Sequence, residues 1–329
     1  MYHPLAVRDA ATEWFARRTF HHAQFGDAAA LVGPKRDHNL TVSVCIPTLN
    51  EEATIGAIVG TIRAELIERV PLVDELVVMD SRSTDGTAEV ATEAGARVVQ
   101  DHEVLPEVES LTGKGEALWK SLFVLRGDVI LWLDADIENF HPRFVLGPLG
   151  PLLTDPAIGY VKSFYERPVR EAEAPVPVGG GRITELVARP LLNMFWPQLA
   201  GLVQPLAGEY AGRRSLLEQV PFFTGYGVEI GLIIDVAERF GLETMAQVDL
   251  DERRHRNRNI GELSRMAFAV LQTALYRLSS SGRIELHTDR GLGLVQFEKD
   301  AKGYRMQPSL IEVRERPPAI TVAGYGAVR

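Results

Sequence analysis

Two carboxylates one residue apart, Asp134-Ala135-Asp136, close an apolar run over residues 129–133. On an extended chain, residues i and i+2 project to the same side, so the pair repels itself unless a cation or a proton intervenes. A hard divalent ion such as Mg²⁺ or Mn²⁺ takes oxygen ligands of this kind and keeps positions free for substrate phosphates. The same tripeptide also reads as a solvated turn after a strand. Ala135 has no side-chain oxygen and can offer only backbone contacts. Glu51, in Asn50-Glu51-Glu52, suits ribose hydroxyls or merely complements a helix dipole. Asp80 or Ser81, opening a polar loop, is a candidate nucleoside contact. Gly113-Lys114-Gly115 lacks the full spacing of a phosphate loop, yet a lysine among glycines at a helix start suits an anion or a base carbonyl. Gly179-Gly180-Gly181-Arg182 supplies backbone N–H groups and a guanidinium, which together fit a phosphate or a carboxylate. Residues 251–258 gather four arginines, two acids and His255 in a protein of net charge −9. His255 becomes a metal ligand if Asp136 lies beside it.

These residues sit at the ends of regular elements. Residues 41–49 are a β-branched strand stopping at Pro47, with Asn50 read as the N-cap of a helix carrying Ile55, Ile58, Val59, Ile62 and Leu66. A second strand runs from 75 to 79, a second helix ends at Gly95, and 96–99 is a third strand. Lys114 opens a helix reaching about residue 125, and 129–133 is apolar on both faces, as a strand covered on both sides should be. Alternating strands and helices predict an α/β fold with a mostly parallel sheet, in which ligands collect at the carboxyl ends of the strands. Further helices are predicted over 182–194, 227–240 and 260–279, and a strand over 247–254. The domain reading is an extension at 1–40, a nucleotide-binding α/β region at 41–165, an acceptor-binding α+β region at 166–280 and a tail at 281–329.

The single Cys45 excludes a disulfide framework and fits a reducing cytoplasm, and no signal peptide is read at the start. The acidic balance argues against bulk nucleic-acid or anionic-membrane binding. The 19 uncharged residues at 190–208 match the length of a membrane span, but three prolines and three amides favour buried helix and loop.

In order along the chain, Pro47-Thr48-Leu49-Asn50-Glu51-Glu52, Asp80 with Ser83-Thr84-Asp85-Gly86-Thr87, Gly113-Lys114-Gly115 and Asp134-Ala135-Asp136 resemble the nucleotide-binding half of GT-A glycosyltransferases, with their Rossmann-like sheet. Gly179 to Thr184, Tyr226-Gly227-Val228-Glu229 and Arg253-Arg254-His255-Arg256-Asn257 narrow the resemblance to the actinobacterial glucosyl-3-phosphoglycerate synthases over essentially the whole chain. That resemblance implies transfer of glucose from UDP-glucose to the 2-hydroxyl of 3-phospho-D-glycerate with retention, giving a precursor of methylglucose lipopolysaccharide. It implies that Pro47, Thr48, Leu49, Glu51, Ser81 and Lys114 hold uridine, that Asp136 and His255 bind Mg²⁺ or Mn²⁺, and that Asp134 and Ala135 meet the donor. Gly181, Arg182, Thr184 and Asn257 would grip phosphoglycerate, Arg253 and Glu229 would line the glucose, and Leu206 and Tyr226 would shape the pocket. Asp134, Glu229 and Arg182 are the candidates for catalytic roles, by a front-face route. The resemblance also implies a homodimer, with no nucleic-acid partner and no stable membrane association. A polyprenyl-phosphate acceptor, a mannosyl donor and a non-catalytic nucleotide-sugar sensor are the competing readings.

Overall fold

The computed structural model describes residues 4–171, 174–176, 181–254, 259–287, 291–301 and 303–328. Eight strands build the central sheet: β1 (Thr19–His21), β2 (Val42–Thr48), β3 (Glu75–Asp80), β4 (Arg97–Gln100), β5 (Val129–Trp132), β6 (Tyr160–Glu166), β7 (Tyr210–Arg213) and β8 (Met245–Glu252). Their order is β1-β8-β6-β7-β5-β2-β3-β4. Every neighbouring pair is parallel except those of β7, which runs antiparallel to both β5 and β6.

Alternation explains why these strands are apolar throughout. Cys45, Val77, Trp132 and Tyr210 face one core, and Val44, Val78, Leu131 and Ala211 face the other, all fully buried. Register then fixes the site. Thr48 lies opposite Asp80 and Asp80 opposite Gln100, so β2, β3 and β4 end in line. Cys45 pairs with Trp132, and the Leu133 N–H continues to the Cys45 carbonyl at 3.1 Å, which carries Asp134 to the same edge. The chain reverses its direction of travel across the sheet between β2 and β5, the switch point where a ligand crevice opens in such sheets.

Helices α1 (Pro4–Arg18), α2 (Glu52–Arg63), α3 (Thr87–Glu93), α4 (Lys114–Ser121), α5 (Arg143–Thr154), α6 (Val228–Phe240) and α7 (Ile260–Ser280) pack around the sheet. α4 is shorter than its sequence suggests, with turns replacing helix from Leu122 to Leu125. α5 escapes the sequence reading because Pro148 and Pro151 lie inside it. All ten residues from Phe144 to Leu153 are buried, and that packing outweighs the hydrogen bonds the prolines forgo. α7 starts from a reciprocal cap in which Asn259 Oδ1 accepts from the Glu262 N–H at 3.0 Å.

The segment at 1–40 supplies edge strand β1, and β7 and β8 from beyond residue 165 complete the same sheet. Within 190–208, Leu192, Trp196, Leu199, Leu202 and Ala207 are core residues, and no helix among the described residues is long and apolar enough to cross a membrane. After α7, β9 (Gly293–Asp300) and β10 (Gly303–Leu310) form a separate hairpin. The chain then returns to the body, where Arg316 Nε and Nη2 each lie 2.7 Å from the Glu116 carboxylate in α4.

Candidate active site

The carboxyl edge of the parallel strands opens into a cavity of about 740 Å³. Pro47 and Thr48 at the end of β2, Leu49 and Glu51 just beyond it, and Ser81 after β3 form its first wall. Asp80 does not reach out from that wall. Its oxygens accept from the Thr48 hydroxyl, the Ser83 N–H and hydroxyl, and the Gln100 amide, so the protein saturates it and it shapes the loop. Asn50 is likewise not the N-cap: helix α2 begins one residue after Glu51. Asn50 takes the left-handed conformation (φ 59°), and its Oδ1 accepts from the Thr84 N–H at 2.8 Å, which ties the two loops together.

The floor is a network of charges. α4 starts at Lys114 because the chain passes tightly under Phe223: a Cβ on Gly115 would stand 1.8 Å from the Phe223 carbonyl oxygen. Lys114 Nζ lies 2.5 Å from Asp134 Oδ1 and 2.9 Å from Glu229 Oε1. Gly208 is also required, since a Cβ there would fall 1.9 Å from Asp134 Oδ2. On the opposite side, Arg253 Nη1 reaches Asp134 Oδ2 at 3.1 Å and Glu209 Oε1 at 3.3 Å, and Nη2 pairs with Asp136 Oδ1. The Tyr165 hydroxyl accepts from Arg253 at 2.8 Å and donates to Glu209 Oε2 at 2.6 Å. Arg253 is placed by its own backbone, whose N–H donates to the Glu166 carbonyl at 3.0 Å.

Burial shifts these groups against their partners. Burial alone would raise the Asp134 carboxyl, but Lys114 and Arg253 hold it well below the usual carboxylate range. Burial would lower Lys114, but Asp134 and Glu229 hold it well above its usual value. Glu209 is raised, because burial there exceeds the pull of Arg253.

A second wall faces this floor. Gly181, Arg182 and Thr184 line the cavity where the chain enters a helical stretch (Thr184–Ala188 as a π turn, then Arg189–Phe195), with Leu206 and Tyr226 beside them. Leu263, Met266 and Val270 of α7 add an apolar rim. Apart from Asp80, the candidate residues that are described line this one cavity: the Pro47–Glu51 set, Ser81, Lys114, the Asp134–Asp136 triad, Gly181, Arg182, Thr184, Leu206, Tyr226, Glu229 and Arg253. His255 and Asn257 lie outside the described residues, as do Gly179 and Gly180. Arg167, Glu209 and Tyr165 are participants that sequence reasoning missed. Arg167 follows the end of β6, so the rule that sends ligands to strand ends would have found it. Glu209 and Tyr165 carry no signal of their own.

The donor set suits a hard cation. Among the described residues, Asp134, Asp136, Glu209 and Glu229 share two directly paired cations, Lys114 and Arg253. Asp136 pairs through Oδ1, and its Oδ2 accepts no hydrogen bond among the described residues. An excess of carboxylate with an open oxygen at a cavity wall is what Mg²⁺ or Mn²⁺ takes.

Residues 43–187 match glycosyl transferase family 2. A glucosyl-3-phosphoglycerate synthase of Petrotoga mobilis is 48% identical over 94% of this chain and 95% of its own length. Among solved structures, mannosyl-3-phosphoglycerate synthase from Rubrobacter xylanophilus superimposes with a TM-score of 0.87 at 42% identity, covering 95% of this chain and 98% of that one. Glucosyl-3-phosphoglycerate synthase from Mycobacterium tuberculosis, in complex with Mn²⁺, UDP-glucose and phosphoglyceric acid, gives a TM-score of 0.76 at 44% identity over 90% and 94%. The same enzyme has also been solved with Mg²⁺ and UDP.

Proposed function

Since this chain belongs to the glucosyl-3-phosphoglycerate synthase family, we propose that its cavity transfers glucose from UDP-glucose to the 2-hydroxyl of 3-phospho-D-glycerate with retention at the anomeric carbon. One observation carries the reading: the nucleotide wall and the acceptor wall open into a single space and meet over the Lys114–Asp134–Glu229 contacts. Pro47, Thr48, Leu49, Glu51, Ser81 and Lys114 hold the uridine. Asp136, with His255, holds the divalent cation. When bound, that cation neutralises the diphosphate as it departs. Asp134 and Glu229 face the sugar, where their negative charge favours the oxocarbenium-like transition state. Arg253 keeps Asp134 and Asp136 apart and fixed. Gly181, Arg182, Thr184 and Asn257 bind phosphoglycerate, with Tyr226 against it. In the front-face route the acceptor hydroxyl bonds to the anomeric carbon as the UDP oxygen leaves, and that oxygen takes the hydroxyl proton.

UDP release, followed with each component omitted in turn, tests this. Release should require UDP-glucose, 3-phosphoglycerate and Mg²⁺ or Mn²⁺ together, and NMR should show the α-anomer. GDP-mannose is run beside UDP-glucose because a mannosyl enzyme shares the fold. Saturable UDP-glucose binding without UDP release would instead identify a sensor. Arg182→Ala should raise the acceptor KM about tenfold or more, from loss of a charge-assisted bidentate contact, with UDP affinity changed less than twofold. Equal changes in both would remove Arg182 from the acceptor site.

The assembly belongs to the same proposal. The β9–β10 hairpin pairs Phe297 with Met306 and Val295 with Pro308, and Val295, Phe297, Tyr304 and Met306 are exposed. This apolar face is a homodimer contact, and light scattering at micromolar concentration should report two copies; a monomer throughout would exclude it. The buried, unpaired Cys45 suits a reducing cytoplasm.

A further inference from the structure

Lys162 lies in the middle of β6, fully enclosed at 1% exposure and absent from the cavity walls. Its ammonium makes no hydrogen bond among the described residues. It rests 4.0 Å from the centroid of the Tyr210 ring, its cross-strand partner in the register of β6 and β7. Lys114 approaches the same ring at 5.8 Å. The hydroxyls of Tyr160 and Tyr210 are also buried and unpaired among the described residues. An orphan ammonium is among the most unfavourable groups a core can hold, and a ring face offsets only part of that. Burial pushes Lys162 down to about 7; the charges acting on it are, in decreasing order, Glu229, Lys114, Glu209 and Asp134. A leucine or methionine would fill this position at lower cost to the fold, so the cation has a use beyond packing.

We propose that Lys162 is a positioning residue for sugar transfer, acting from inside the core on Glu229 and, through the shared Tyr210 ring, on the Lys114 contacts. The inference rests on the glucosyl-transfer reading above. Lys114 holds Glu229 Oε1 directly from the cavity side. Lys162 reaches the same Tyr210 ring from within the sheet, so the surroundings of the Lys114–Glu229 contact are fixed from the core as well as from the cavity. Lys162 does not line the cavity, which sets its signature apart from that of the residues that do.

The experiment measures Lys162→Met and Lys162→Gln in the wild-type and Glu229→Gln backgrounds, with steady-state kinetics, UDP binding and thermal unfolding on each protein. Both substitutions should lower kcat roughly tenfold or more while both KM values stay within about twofold. Lys162→Met should unfold at or above the wild-type temperature, because an apolar side chain replaces an unpaired buried charge. In the Glu229→Gln background neither change should lower kcat much further, since their common target is gone. A kcat within twofold of wild type would overturn the proposal. So would a loss that multiplies fully with Glu229→Gln, or one accompanied by lowered unfolding temperature and weakened UDP binding. The wild-type rate measured alongside tests the glucosyl-transfer reading separately.

Discussion

Asp136→Ala should lower turnover at least a thousandfold, about 4 kcal/mol of lost transition-state stabilisation. Asp136 lines the cavity and pairs with Arg253 through Oδ1, while its Oδ2 accepts no hydrogen bond among the described residues. Asp134 is held on both oxygens, by Lys114 and by Arg253, and is thereby committed to the protein. Removing the Asp136 side chain leaves Arg253 with Asp134, Glu209 and Tyr165, so the scaffold should survive. Calorimetric titration of Mn²⁺ into the UDP-saturated variant should show the metal step lost, while UDP alone binds nearly as before. Turnover within tenfold of wild type, or an unchanged Mn²⁺ isotherm, would remove Asp136 from the metal site.

Lys114→Met should be nearly as damaging, by a different route. One ammonium separates two carboxylates, at 2.5 Å from Asp134 and 2.9 Å from Glu229. Without it, Glu229 loses its ion-pair partner among the described residues and Asp134 keeps Arg253 alone, and breaking such a pair is far more disruptive than never having built it. We expect kcat to fall about a thousandfold, with UDP binding weakened roughly tenfold because the same residue borders the nucleotide wall. Adding Asp134→Asn to Lys114→Met should recover part of the thermal stability and none of the rate. A single variant that keeps kcat within threefold would show that the contact is only a packing feature.

How far the chain could be read without coordinates follows from where its physics is local. Strands β2, β3 and β5 declare themselves through β-branched and apolar runs bounded by turn residues, and a parallel sheet sends its ligands to one edge. The Pro47–Glu51, Ser81 and Asp134–Asp136 clusters were therefore visible as one site. Residues 210–213, Tyr-Ala-Gly-Arg, hold too little apolar pattern to mark β7, which is defined by its antiparallel pairing with β5 and β6, both distant in sequence. α5 hid behind its prolines. Asn50 misled because asparagine favours both caps and left-handed turns, and only the partner loop decides between them. Tyr165, Glu209 and Lys162 sit in or beside strands that the sequence reading did not single out; their roles arise from side chains distant in sequence.

The interleaving of the sheet has a consequence for engineering. Strands β2 to β5 and strands β6 and β8 are welded through β7, and the far edge is closed by a strand from the first 21 residues. A fragment cut at Tyr165 would expose the bare flank of β5 and invite edge-to-edge aggregation. Donor and acceptor specificities here cannot be swapped as cassettes; a graft has to exchange loops at the rim while leaving every strand in place.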